Sequence, residues 1–452
     1  MSKTIEIVQV SASEDTIYYE LRDNTGLQLL KSETVSAWIK FHNAACFDFS
    51  AKNLPEAILA LPVTLYLLPA TWFYGVELVV PSIDKVLHDC LPSIYAAYSN
   101  LYGPFKKEWR GKVTAKTVVE NGMTESRFDN IVFFSGGVDA IHAGVNNPGK
   151  RNVLVSVPSI EGPASSGKDI AGQNFLMAKS RLIQDFSAVS GSDWLLITNN
   201  FRADIFDDAK IQYELKHVFR LNSIAFHADG WFGMKYLGNL LSSAPFAYSM
   251  GIKKLIMGST YEQIEDLPGT NKDGANPDLT SSIKFANVSF AEQDGLHTRR
   301  SKKVKDVINW CNANDKRICF WACYHGNKEQ CCMCHKCVRT LLNILCTKEN
   351  PVDWGFTNFD ENKFSNLIRT YRYIETNKCW IWDIIDTIDS KTVYPYCNET
   401  LHWLKRIGYK KYFKRAQQLH DMQKTLRIFK LHRYPHYAKV VLSRLAKKKA
   451  NK

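Results

Sequence analysis

An unbroken apolar run, Ile131-Val132-Phe133-Phe134, passes directly into Ser135-Gly136-Gly137-Val138-Asp139-Ala140, and Ile141-His142-Ala143-Gly144 follows with helical spacing. Strand, glycine turn and helix start stand in the order an anion cradle requires. Glycines let the backbone approach the anion, successive amides point inward, and the helix dipole favours negative charge. Ser135 adds a hydroxyl donor. An ordinary glycine turn is the alternative reading. The Lys-Ser/Thr ending of a Walker A loop is missing, so phosphoryl transfer of that kind is not indicated.

From Asn130 onward, short apolar runs alternate with helix-length amphipathic runs, the pattern of repeated strand-helix units. Strands are expected at Ile131–Phe134, Asn152–Val157, Trp194–Thr198, Lys254–Met257 and Ile318–Ala322, and helices at Val138–Gly144, Ile170–Ala188 and Met234–Ser249. The expected fold is α/β, a doubly wound parallel sheet whose ligands lie at the carboxyl ends of the strands. Gly258 and Ser259 follow one such strand, where small residues admit a nucleotide or simply form a turn. Thr298-Arg299-Arg300-Ser301-Lys302-Lys303 starts a helix. Its bases, Arg300 and Lys303 above all, are candidates to neutralise charge on a leaving pyrophosphate, with a solvated basic helix start as the alternative.

Eight of the twelve cysteines fall between Cys311 and Cys346, whereas a disulfide scaffold would distribute them through a small secreted chain. Within that window Cys323 is followed by Cys331, Cys334 and Cys337, at gaps of 8, 3 and 3. Two Cys-x-x-Cys steps bring three sulfurs round a knuckle and Cys323 completes a tetrahedron. Four thiolates leave no open coordination position, which points to a closed structural Zn²⁺ site. An iron-sulfur cluster is the alternative that spacing leaves open, with His325 and His335 as substitutes for one thiolate.

The loop resembles that of the PP-loop ATP pyrophosphatase superfamily, whose Ser-Gly-Gly-x-Asp-Ser motif holds the β,γ-pyrophosphate of ATP while a substrate oxygen attacks the α-phosphate. Ser135, Gly136, Gly137 and Asp139 match that motif, and Ala140 stands where the family has its second serine. With the cysteine pattern some 190 residues later, residues 130 to 345 resemble the 7-cyano-7-deazaguanine synthase family, in which a carboxylate is adenylated and converted with ammonia, through an amide, to a nitrile. The resemblance implies a HUP-like sheet, with Ser135, Gly136, Gly137, Val138 and Asp139 holding ATP with Mg²⁺ and Asp139 in a catalytic role. It also implies Cys323, Cys331, Cys334 and Cys337 as zinc ligands, and ammonia or another nitrogen donor as co-substrate. The expected function is adenylation of a small-molecule or macromolecular acceptor with release of AMP and pyrophosphate. An RNA-modifying PP-loop enzyme and a catalytically silent nucleotide-binding module are the rival readings.

The expected domains are an N-terminal α+β domain over 1–127, the ATP-binding domain over 128–348 and a mostly helical, basic region over 349–452. The almost wholly apolar stretch Ile58–Val76 reads as a buried helix-and-strand segment rather than a membrane span, because Pro62 and Pro69 interrupt it and strand-like Val76–Val80 closes it. No secretory signal is visible at the N-terminus, and the expected location is the cytoplasm. The net charge of +13 is local: residues 405–452 carry sixteen Lys and Arg against one acid, Asp421, which leaves 42 bases and 44 acids in residues 1–404. Nucleic acid, an anionic membrane surface and plain solvation all suit such a tail. A homodimer is a candidate assembly.

Overall fold

The structure is a computed structural model that describes residues 3–102, 111–122, 125–158, 170–218, 231–259, 276–286, 289–323, 329–373 and 378–428. Contacts divide the chain into two compact units. The first comprises Met1–Gln263, Asn271–Thr298 and Asp306–Trp321, and the second Ile264–Thr270, Arg299–Lys305 and Ala322–Lys452. This division runs differently from the boundaries at 127 and 348 expected from sequence.

In the first unit, the described residues form one 11-stranded sheet. Its strands are β1 (Thr4–Ala12), β2 (Thr16–Asp23), β3 (Thr34–Phe41), β4 (Glu77–Asp84), β5 (Lys112–Val119), β6 (Asn130–Phe133), β7 (Asn152–Ser156), β8 (Asp193–Asn199), β9 (Lys254–Gly258), β10 (Lys284–Phe285) and β11 (Ser289–Asp294). They lie in the order β10-β11-β9-β6-β7-β8-β3-β2-β1-β4-β5. The run β11-β9-β6-β7-β8 is parallel throughout. Thus the sheet is mixed and mostly parallel rather than purely parallel. The reason lies in the connections: β1, β2 and β3 follow one another through short links and pair antiparallel, and β3 then adds antiparallel to β8. The expected strand over Ile318–Ala322 is absent, and that segment forms no regular element.

The apolar stretch is a single helix, α1 (Glu56–Tyr74), which keeps both Pro62 and Pro69 inside it and ends on Gly75 in the left-handed region. Each proline removes one intrahelical bond. Every residue from Ala57 to Phe73 is buried, as expected of a helix that is apolar all round. Among the described residues α1 is the one helix long and apolar enough to cross a membrane, yet it lies in the core of this unit. It packs on β4, β1 and the helix Trp231–Leu240, where Gly238 lies so close to the Tyr66 backbone that a Cβ would come within 2.7 Å of its Cα.

β4 leads into α2 (Lys85–Tyr102) through Asp84, which is fully buried. One carboxylate oxygen accepts the backbone N–H groups of Leu87 (3.0 Å) and Ala286 (3.1 Å). The other accepts the Asn121 side chain (3.0 Å). Leu87 lies in the first turn of α2, so Asp84 caps that helix. Ala286 directly follows β10, at the far end of the strand order from β4 and β5. Asp84 and α2 therefore tie the two ends of the sheet together. An open twisted sheet of this many strands tends to curl, and here a carboxylate fixes the curl.

The second unit is mostly helical where described. It contains the helices His335–Cys346, Glu361–Arg369, Lys378–Thr387, Asn398–Ile407 and Tyr409–Ile428. The end of the expected basic region, residues 429–452, lies outside the described residues.

Asp84→Ala leaves two backbone donors and one amide without their acceptor inside the protein. At about 1–3 kcal/mol for each buried orphan, the substitution is expected to cost at least about 3 kcal/mol. Chemical denaturation followed by tryptophan fluorescence checks this, and an unchanged midpoint would refute the clasp.

Candidate functional site

β6 is the strand at which the chain changes direction across the sheet. β7 and β8 extend the sheet on one side of it, β9 and β11 on the other. The crevice beyond the carboxyl ends of β6 and β9 is the position in which open α/β sheets take ligands. The loop Ser135–Gly137 occupies this place, and α3 (Val138–Asn146) starts from it with Gly137 at its N-cap.

The loop's shape follows from its neighbours. Gly136 has φ +82°, and a Cβ there would lie 2.2 Å from Leu182 Cδ2. The Gly136 carbonyl accepts the Trp321 N–H at 2.7 Å. Ser135 is exposed, and its hydroxyl accepts the Gly137 N–H at 3.4 Å. Asp139, half-buried, stands in the first turn of α3, at the positive end of the helix dipole. Gly258 ends β9 against this turn: a Cβ on it would lie 2.2 Å from the Asp139 carbonyl oxygen. The structure thus brings together Ser135, Gly136, Gly137, Val138, Asp139 and Gly258. Ser259, fully buried, donates its N–H to the Asp294 carbonyl (2.9 Å) at the end of β11.

Two features of this corner were not read from sequence. Lys179 on α4 (Ile170–Ser190) is 3% exposed and donates to the Ser135 carbonyl at 3.1 Å, with its ammonium 5.6 Å from the centre of the Phe175 ring. Lys179, Leu182 and Phe186 share one helical face, on which Leu182 meets Gly136 and Phe186 stacks on Phe134. A cation within an apolar stripe was the only signal available. On α3, buried His142 bonds the Asp294 carboxylate at 2.8 Å, and its other ring nitrogen lies 3.8 Å from Asp306. Asn146 donates to the same Asp294. This cluster anchors α3 to the end of β11.

Arg300 and Lys303 belong to the second unit and are buried there, while Lys302 is exposed. A solvated helix start therefore describes Lys302 but not its two neighbours. The start of their helix is capped by Asp383, which accepts from the Ser301 N–H (2.9 Å) and hydroxyl (2.7 Å). Burial pushes the Asp383 carboxyl up, and these bonds oppose the shift.

The second unit also assembles the four predicted metal ligands. The sulfurs of Cys323, Cys331, Cys334 and Cys337 all lie within 4.8 Å of one another and could hold one metal ion. A tetrahedron with Zn–S bonds of about 2.3 Å has edges of about 3.8 Å, so a small contraction places all four on one ion. Four sulfurs this close surround a single ion, whereas a multi-iron cluster would hold them farther apart. Cys334 is the N-cap of the helix His335–Cys346, and Cys337 is fully buried in its first turn. The amides of Cys331 and Cys334 point at the Cys323 and Cys331 sulfurs, at 3.5 and 3.3 Å. Cys332 takes φ +55°, turns away and donates toward the Gln330 carbonyl. His335 is outside the four-sulfur group, and His325 lies outside the described residues. Burial raises the Cys331 thiol, and Cys337 is raised strongly by its bond to Cys334 and by burial. Neighbouring sulfurs add to both shifts, since adjacent thiolates repel one another.

No protein-family model, curated protein or solved structure matches this chain.

An ion must displace protons from these raised thiols, so its apparent affinity is expected to rise with pH and weaken as pH falls. Purified protein should carry one zinc per chain by elemental analysis, and Cys337→Ser should lose it. Metal-free protein that is as stable as the metal-loaded form would count against a structural ion.

Proposed function

We propose that this protein is a PP-loop enzyme that adenylates a carboxylate on its acceptor with Mg²⁺-bound ATP and couples the adenylate to ammonia or another nitrogen donor, in the manner of the 7-cyano-7-deazaguanine synthases. The observation that carries the reading is the juxtaposition of Ser135–Asp139 with Gly258 at the carboxyl ends of β6 and β9. A helix N-terminus, a turn built on two glycines and a strand end without a side chain give the room and the positive dipole end that suit a pyrophosphate.

In this reaction a carboxylate oxygen attacks the α-phosphorus, the bond to the β-phosphate oxygen breaks, and pyrophosphate departs. Ammonia then adds to the acyl carbon and AMP leaves, giving an amide with loss of a proton. A second ATP could then activate the amide oxygen with release of pyrophosphate and one N–H proton, and loss of AMP with the remaining N–H proton would give a nitrile. The protein's part is positioning and charge. The loop amides would take the departing pyrophosphate and Asp139 would hold its magnesium ion. Lys179, beneath Ser135, supplies a buried cation where negative charge accumulates. Zinc at the four cysteines would act as a staple, since no coordination position remains for chemistry.

Incubation of the full chain with ATP, ammonium and a panel of carboxylates should release pyrophosphate. Lys179→Met is expected to lower that release about 100-fold. Gly258→Ala should abolish it, because the new methyl group collides with the Asp139 backbone. Ala140→Ser, which restores the hydroxyl of the family motif, should maintain or raise it. ATP binding without pyrophosphate release from any carboxylate, in both the natural chain and Ala140→Ser, would sink the enzymatic reading.

A further inference from the structure

The helix Tyr409–Ile428 carries a cationic face that neither nucleotide binding nor zinc binding uses. Lys410, Lys411, Lys414 and Arg415 are all exposed, and at 100° per residue they span about 140° of the helix circumference. Tyr412 and Ala416 point the other way and are buried. Exposed Arg406, at the end of the preceding helix, extends the patch. Among the described residues, no acidic side chain pairs with Arg406, Lys410, Lys411 or Lys414, and Asp421 two turns on is the only acid of the helix. Lys410 and Lys411 also stand in the first turn, where the helix dipole disfavours cations, and no acid offsets them there. Folding alone gives no reason for this arrangement.

From this placement we infer that the face binds single-stranded nucleic acid. Phosphates at the spacing of a nucleic-acid backbone meet a continuous row of cations, and counterions are released on contact. Half-buried rings border the row: Tyr409 beside Lys410, and Tyr371 and Trp403, whose centroids are 5.6 Å apart. Arg415 lies over Tyr371 and donates to its hydroxyl at 2.7 Å. Aromatic rings beside a cationic track suit unpaired bases, which stack without regard to sequence. A lipid surface fits less well. A membrane-lying helix needs a free apolar face, and here Tyr412 and Ala416 are already consumed by the unit's own core. Residues 429–452 continue the sequence with eight more bases and no acid, so the same charge carries on beyond the described helix.

The test measures binding of full-length protein to a fluorescently labelled, unstructured RNA oligonucleotide by anisotropy at rising salt. A variant combining Lys410→Glu, Lys411→Glu, Lys414→Glu and Arg415→Glu is compared with a control that reverses exposed Lys52, Lys150, Lys363 and Lys391 to the same net charge. Glutamates suit the first turn of a helix, so folding should survive, as circular dichroism would verify. The natural chain should bind with a steep salt dependence. The face variant should raise Kd at least about 30-fold and flatten the slope of log K against log salt by about 3. The control should bind within about threefold of the natural chain. Equal weakening by both variants, no weakening by the face variant, or tighter binding to phosphatidylserine vesicles than to RNA at equal anionic charge would each overturn the inference. Pyrophosphate release is read in parallel, and its failure leaves this result intact because the face contains no residue of the ATP site.

Discussion

Asp84 accepts three hydrogen bonds with one buried carboxylate, and its partners come from opposite ends of an 11-stranded sheet. The arrangement of the first unit follows from that closure. Once the outer strands are held in place, an interior is enclosed that only an apolar helix can occupy, and α1 is apolar on every side. The polar cost of the clasp is small, because each carboxylate oxygen has donors. The reward is the burial of Leu, Val, Phe and Tyr side chains along the whole of α1, each contributing about 1.5–3 kcal/mol.

The corner that carries the glycine loop depends on the same economy of space. Gly136 and Gly258 are both positions where a methyl group would strike a neighbour, one against Leu182 and the other against the Asp139 backbone. The loop is held by packing from α4 beneath and β9 beside it. Lys179 is the polar member of that packing, and His142 with Asp294 fixes the next turn of α3. The four-cysteine group is a separate device in the second unit, where a metal could organise a short chain segment.

Much of this was legible in sequence because local chemistry dictates it. The strand-glycine-helix pattern from Ile131 announced β6, the turn and α3, and the two Cys-x-x-Cys steps with Cys323 eight residues upstream announced the four-sulfur group. What escaped required tertiary context. Two prolines suggested that α1 would break, yet complete burial outweighs the lost helix bonds. Ile318–Ala322 has strand composition but finds no strand partner, and spends its Trp321 amide on Gly136 instead. The antiparallel β1–β3 addition to β8 joins segments far apart in the chain, which no periodicity announces. Lys179 looked like any lysine of an amphipathic helix.

The bond between Asp84 and Ala286 spans 202 residues. A ribosome adding about 5–20 residues per second needs roughly 10–40 seconds to supply the second partner after the first. Throughout that interval α1 and the strands around it have been made, but the chain that seals them has not. A nascent helix with no polar side must wait in that time without its full cover, so the apolar surface of α1 stays open until the end of β10 has been made.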